Sequence, residues 1–75
     1  MERISQADLE AVAVNYSRRI DPLSVSVGYR NGKVAADLYR GDSCLDTLYI
    51  GSKREVYDYL WAGIRAIDLY VHRDF

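Results

Sequence analysis

An Asn-Gly pair at residues 31 and 32, set between two stretches of alternating apolar and polar residues, constrains the fold of this chain more than any other feature. Asn-Gly is the preferred pair for a two-residue β-hairpin turn, because both turn positions need a positive φ. Such a turn fixes the strand register, and with it the face on which each side chain lies. The register predicts three apolar pairs on one face: Tyr29 with Val34, Val27 with Ala36, and Val25 with Leu38. Because turn and pattern agree, we predict a hairpin.

The sequence on either side of the hairpin predicts two helices. The first begins after Ser5, a candidate N-cap with Asp8 three residues later, and ends at Asp21-Pro22, because proline disfavours helical geometry in the residue before it. The second begins with a capping box formed by Ser52 and Glu55. A broad apolar stripe at helical spacing follows that box: Val56, Tyr59, Leu60, Gly63, Ile64, Ile67, Tyr70 and Val71.

A third strand is predicted within residues 44–51, after the segment Arg40-Gly41-Asp42-Ser43. Arg-Gly-Asp is also the tripeptide that integrins bind, but glycine, aspartate and serine are what a tight turn requires, so we interpret the segment as a turn. A two-residue loop would place Asp37 opposite Asp46, and like charges in such a pair are unfavourable. A three-residue loop would place Asp37 opposite Thr47 instead. We predict the second arrangement.

These elements predict one small α+β domain, residues 1–75, with the order α-β-β-β-α. The strands would form a three-stranded antiparallel meander, and both helices would pack on the face that carries the apolar hairpin residues. A chain of 75 residues buries only about 60% of its unfolded surface, so its core is marginal without a disulfide, a metal or a partner subunit. A homodimer is therefore an open possibility.

The composition also argues against several function classes. One cysteine, Cys44, and one histidine, His72, leave no internal disulfide and no His/Cys metal cluster, so we predict no metal and no cofactor. Cys44 has no histidine near it in sequence, and Asp68 with His72 is more typical of a helix-surface contact than of a catalytic dyad. We therefore expect no enzyme. No apolar run is long enough for a membrane span, and the polar start and single cysteine favour the cytoplasm.

The outer face of the second helix carries residues that a structural role alone does not explain. Trp61, Arg65 and Leu69 follow one another at i, i+4 and i+8, and Tyr57 and His72 lie nearby. Trp61 and Arg65 could form a cation–π pair, and an exposed tryptophan beside an arginine matches the composition of protein-interaction hot spots. The alternative interpretation is that Trp61 extends the core at its flank. The first interpretation predicts a surface that binds a protein partner or a second copy.

A second candidate surface is the basic start of the same helix. Lys53 and Arg54 lie in its first turn, where cations oppose the helix dipole but could help the N-terminus to bind phosphate. Arg30 and Lys33, which flank the hairpin turn, could add to this site. In the alternative interpretation the side chains of Lys53 and Arg54 lie in solvent, and Glu55 and Asp58 compensate their charge. The net charge of −1 disfavours bulk binding of nucleic acid, so a nucleic acid or nucleotide is the second choice of partner.

The segment Gly51-Ser52-Lys53-Arg54-Glu55 resembles the basic start of the second helix in double-stranded RNA-binding domains, which share the order α-β-β-β-α. In that family, lysines at this position grip phosphates across a groove, which would implicate Lys53 and Arg54. This sequence departs from the family in two respects. The long loop between the family's first two strands is here the Asn31-Gly32 turn, and the alanine-rich second helix is here rich in tyrosine and tryptophan.

Residues 29–67 resemble a class of short, largely uncharacterised proteins encoded by phages and prophages. The resemblance lies in a tyrosine-flanked hairpin, a following strand, and the helix start Gly-Ser-Lys-Arg-Glu-Val-Tyr at residues 51–57. It implies a mobile-element origin and a bacterial host cell. By analogy with small phage proteins that bind host factors, we expect a non-enzymatic module that binds a host protein, a phage protein or itself.

Overall fold

The structure, a computed structural model, describes residues 3–71. Five elements follow one another: α1 (Gln6–Ile20), β1 (Leu23–Arg30), β2 (Lys33–Arg40), β3 (Ser43–Gly51) and α2 (Lys53–Val71). The strands form one antiparallel sheet in the order β1-β2-β3. The predicted α+β fold, a three-stranded meander with one helix before it and one after it, is confirmed.

The hairpin between β1 and β2 has the predicted register. Asn31 and Gly32 adopt φ values of 53° and 78°, the two positive values that a type I′ turn needs. The three predicted pairs are all present: Tyr29 with Val34, Val27 with Ala36, and Val25 with Leu38. Local turn chemistry and the burial pattern therefore agree in the folded chain.

The pairing of β2 with β3 confirms one part of the prediction and corrects another. Asp37 lies opposite Thr47, as predicted. The connecting loop has two residues rather than three, because Arg40 pairs with Ser43. A register shift between Leu38 and Tyr39 carries Asp46 past the pairing of two aspartates that a regular ladder would impose. A second shift follows between Ala36 and Asp37.

The hydrophobic core lies between one face of the sheet and the two helices. Both helices contribute fully buried side chains, and so do β1 and β2. The buried members of the core are Leu9, Val12, Ala13, Val25, Val34, Ala36, Val56, Leu60 and Ile64. This packing directs the opposite side of each helix towards solvent.

Two contacts fix α1 beside α2. The ring of Tyr16 packs against the backbone at Gly63, where a Cβ atom would lie only 2.5 Å from Tyr16 Cε2. Burial raises the pKa of Tyr16, and the neighbouring Tyr59 adds to the rise. Further along, Arg19 donates through Nε and Nη2 to the two carboxylate oxygens of Asp68, at 2.8 and 3.2 Å. Because both contacts advance in the same direction along both helices, α1 and α2 run parallel.

The last turn of α2 departs from the predicted apolar stripe. Val71 lies two turns after Ile64 on the same side of the helix, yet it is 62% exposed whereas Ile64 is 1% exposed. Within residues 3–71, most of the Val71 surface is left uncovered. The core therefore ends before the helix does.

Candidate functional site

Of the predicted interaction residues of α2, Tyr57 packs against the core, whereas Trp61, Arg65 and Leu69 lie on the side opposite the core. We call this side the outer face of α2. It comprises Arg54, Asp58, Trp61, Ala62, Arg65 and Leu69, all of which are exposed. The opposite side carries the fully buried Val56, Leu60 and Ile64. The 3.6-residue period of the helix separates the two sets, so the sequence places the outer face correctly.

Trp61 is neither fully buried nor fully free. Its side chain is 38% exposed, and its ring meets the Tyr57 ring edge-on, with centroids 6.3 Å apart and planes at 69°. Tyr57 is itself half-buried and packs against the core. Tyr57 therefore orients Trp61 and contributes little surface of its own. In the part of the chain that the structure covers, Trp61 and Arg65 form no cation–π pair.

The polar side chains of the outer face make few contacts with other residues of the same chain. Asp58 lies 3.8 Å from Arg54, and the two side chains are 63% and 56% exposed. A surface pair at that distance contributes little to stability. Arg65 has no hydrogen bond or ion pair with any other residue of the segment 3–71. Leu69 is 71% exposed. The outer face thus combines two large apolar side chains with charges that are free to meet another molecule.

His72, also predicted as part of this surface, lies outside the described residues. Its predicted neighbour Asp68 bonds to Arg19 of α1 and so helps to hold the two helices together. Asp68 therefore has a structural role in the fold.

The four cations of the alternative anion site are not brought together. Lys33 and Lys53 line one cleft of about 530 Å³ between the hairpin turn and the start of α2, together with Tyr29, Asn31, Gly32, Val34, Gly51, Ser52 and Glu55. Arg54 lies instead beside Asp58 on the outer face of α2. Arg30 reaches across the helix-free face of the sheet. Two of the four thus share a cleft, and two lie elsewhere.

A carboxylate shares that cleft with the two lysines. The Ser52 backbone N–H donates to Glu55 Oε1 at 2.8 Å, and the Glu55 N–H donates to Ser52 Oγ at 3.1 Å. Hydrogen bonds with Ser52, and to a lesser extent the charge of Lys33, lower the pKa of Glu55. The start of α2 therefore carries its own anion. The Glu55 carboxylate and the Ser52 hydroxyl each occupy one of the N–H groups that a phosphate would need.

A polar network that was not predicted from the sequence lies on the helix-free face of the sheet. Arg30 donates through Nη2 to Asp37 Oδ2 at 2.8 Å and through Nη1 to Thr47 Oγ1 at 2.9 Å. Thr47 Oγ1 in turn donates to Asp37 Oδ1 at 2.8 Å. The Asp37 side chain is only 10% exposed. The signal was present in the sequence, because strand alternation places Arg30 and Asp37 on the same face.

Comparisons with known proteins add nothing to this geometry. No protein-family model matches the chain, and no curated protein or solved structure is detectably similar to it. Between residues 3 and 71, no three histidine, cysteine, aspartate or glutamate side chains cluster in a way that could hold a metal ion. Neither helix in that range is long and apolar enough to cross a bilayer. The outer face of α2 remains the best-supported candidate site.

Proposed function

We propose that this chain is a non-enzymatic protein-interaction module that binds its partner through the outer face of α2. The observation that carries the proposal is that two large apolar side chains, Trp61 and Leu69, lie exposed on this face on either side of Arg65. Tryptophan and arginine are the residue types most enriched among binding hot spots. Burial of a side chain as exposed as Leu69 against a partner yields up to about 1.5–3 kcal/mol, and Trp61 adds the burial of the part of its ring that is still exposed. Trp61 is the central anchor in this proposal.

The proposal includes the origin and the compartment that the resemblance of residues 29–67 implies. The chain would be a phage or other mobile-element product that acts in the cytoplasm of a bacterial cell, on a host protein, a phage protein or itself. Cys44 supports this compartment, because its thiol is free and exposed. An exposed free thiol is more compatible with a reducing environment than with an oxidising one.

Affinity purification of the tagged chain from cells of its native host, with and without nuclease, tests the proposal. The wild type would be compared with Trp61→Ala and with the control Ile50→Thr. Ile50 is 46% exposed, lies on the helix-free side of the sheet, and stays β-branched in the control. We expect a nuclease-resistant protein partner that the control retains and Trp61→Ala binds about 30-fold more weakly or worse, the effect typical of a hot spot.

Two outcomes would contradict the proposal. Equal capture by the wild type and Trp61→Ala would remove the outer face of α2 as the binding surface, provided that both proteins melt at the same temperature. Co-elution of material only without nuclease, lost when Lys33 and Lys53 are replaced by alanine, would assign binding to the cleft at the start of α2. Binding there would weaken steeply with added salt.

A further inference from the structure

We infer that the partner of the outer face of α2 is a second copy of this chain, bound in antiparallel orientation about a two-fold axis. This inference rests on the proposed function, because it uses the same surface. Its basis is the symmetry of that surface about the midpoint between Trp61 and Ala62. Asp58 and Arg65 lie at equal distances on either side of the midpoint, and so do Arg54 and Leu69. A surface with this property can be complementary to itself.

The six residues form one continuous stripe. At 100° per residue they fall within an arc of about 100°, and from Arg54 to Leu69 they extend about 22 Å along the helix axis. The stripe faces solvent throughout its length, since all six residues are exposed. A second helix could therefore lie along it, at the 8–10 Å interaxial distance that is usual for packed helices.

The charges select the antiparallel orientation. In an antiparallel pair, Asp58 faces Arg65 of the second copy, and the two-fold axis repeats this contact, which gives two ion pairs between the copies. In a parallel pair, Asp58 would face its own equivalent and Arg65 would do the same, which is repulsive at both positions. Arg65 has no other partner within residues 3–71. Asp58 has only the 3.8 Å contact with Arg54, and both of these side chains are largely exposed.

The positions of the apolar side chains are compatible with the same orientation. Neighbouring residues of a helix lie 100° apart, so Trp61 and Ala62 lie at opposite edges of the stripe, and the two-fold axis brings Trp61 beside Trp61 of the second copy and Ala62 beside its Ala62. Towards the ends, Leu69 faces Arg54 of the second copy, whose aliphatic stem offers apolar surface beneath its charge. This contact thus covers Leu69, which is 71% exposed in one copy.

The expected dimer is weak. One helix face from each copy offers less surface than the roughly 1,200–2,000 Å² that stable interfaces bury. Association should therefore be measured at protein concentrations from about 1 µM to 1 mM. Dissociation constants in that range correspond to binding free energies of about 8 to 4 kcal/mol. Trp61 is the only tryptophan of the chain, so a shift of its emission with concentration reports directly on the interface.

Charge reversal with sedimentation equilibrium tests the inference. Asp58→Arg and Arg65→Asp should each weaken the dimer about tenfold or more, because each turns two attractive pairs into two repulsive ones. The double variant, with both changes, restores opposite charges and should regain most of the wild-type affinity. Arg40→Asp, at an exposed position outside α2, changes the net charge by the same amount as Arg65→Asp; it is the matched control for that variant and should dimerise as the wild type does. Circular dichroism melts confirm that every variant is folded.

Each outcome separates this inference from the proposed function. If the chain is a monomer at every concentration, a second copy is not the partner. The proposed function would then still be supported if the chain captures another protein through Trp61. A dimer that tolerates the single reversals, or that the double variant does not restore, overturns the antiparallel arrangement. Rescue by the double variant, together with a Trp61 emission shift at the same midpoint, supports it. The proposed function is tested by the capture experiment and fails on the outcomes given there, whether or not the chain dimerises.

Discussion

Replacement of Gly63 with alanine should destabilise the protein, although alanine is the better helix former. In a helix interior, alanine is favoured over glycine by about 1 kcal/mol. Here the new Cβ atom would lie 2.5 Å from Cε2, 3.0 Å from Oη and 3.1 Å from Cζ of Tyr16. Non-bonded carbon atoms pack at about 3.5–4.0 Å. The Tyr16 ring would therefore have to retreat by about 1 Å.

Tyr16 has little freedom to retreat, because its rigid ring is half-buried and packs against the core between α1 and α2. Overpacking of this kind costs about 1–3 kcal/mol. Set against the gain in helix propensity, the expected net effect of Gly63→Ala is a loss of about 1 kcal/mol in the free energy of unfolding. For a domain of this size that loss lowers the melting temperature by about 4–8 °C.

A double-mutant cycle measures the clash separately from the propensity. Unfolding in urea would be followed by circular dichroism for the wild type, Gly63→Ala, Tyr16→Leu and the double variant. In the leucine background the ring is absent, so Gly63→Ala should stabilise by about 1 kcal/mol. Ala66→Gly, at an exposed position of the same helix, calibrates the propensity locally. A gain of stability from Gly63→Ala in the wild type, or an equal effect in both backgrounds, would refute the packing of Tyr16 against Gly63.

Two further predictions concern the polar contacts of the chain. Asp37→Ala should cost about 1–3 kcal/mol in the free energy of unfolding, because it removes the buried partner of Arg30. The control Asp58→Ala, at an exposed ion pair, should cost less than about 0.5 kcal/mol. Equal losses for the two variants in urea titrations would contradict the network. Hydrogen bonds with Ser52 lower the pKa of Glu55 below its ordinary value of 4.5, so its charge stabilises the fold above pH 4.5 and this contribution disappears as the pH falls through the lower folded pKa. Glu55→Gln should therefore be less stable than the wild type at pH 7, and the difference should shrink as the pH falls below 4.5 and through the lower folded pKa; a difference that does not shrink would count against the charged cap.

The sheet illustrates how far local sequence signals reach. The first hairpin was predictable residue by residue, because Asn31-Gly32 and the alternating pattern act over a few positions. The third strand was predictable only in part. Its register depends on two shifts, and Leu48, which one of them skips in the pairing, packs against the core. A shift of this kind responds to tertiary packing. The predicted three-residue loop therefore gave Asp37 the right partner, Thr47, although the loop has two residues and a register shift in β3 supplies the extra residue.

Arg30 shows a different limit. In the sequence it adjoins the hairpin turn and Lys33, which favoured a common basic site near the start of α2. In the structure, the alternation of β1 directs Arg30 to the helix-free face, where it bonds to Asp37. Proximity in sequence was therefore a weaker guide than the period of the strand. The same rule would have placed Asp37 on the face of Arg30, although the period of the strand does not give the burial of Asp37, whose side chain is 10% exposed.

The outer face of α2 was predictable in position but not in exposure, since the period of the helix does not say what α1 covers. A single exposed leucine such as Leu69 is common on protein surfaces and carries little information by itself. The order of the charges carries more. Asp58 and Arg65 are seven residues apart, about 10 Å along the helix axis, and α-helical ion pairs form at a spacing of three or four residues. Within one chain the side chains of Asp58 and Arg65 cannot form an ion pair with each other. A direct contact between these two side chains therefore requires a second molecule.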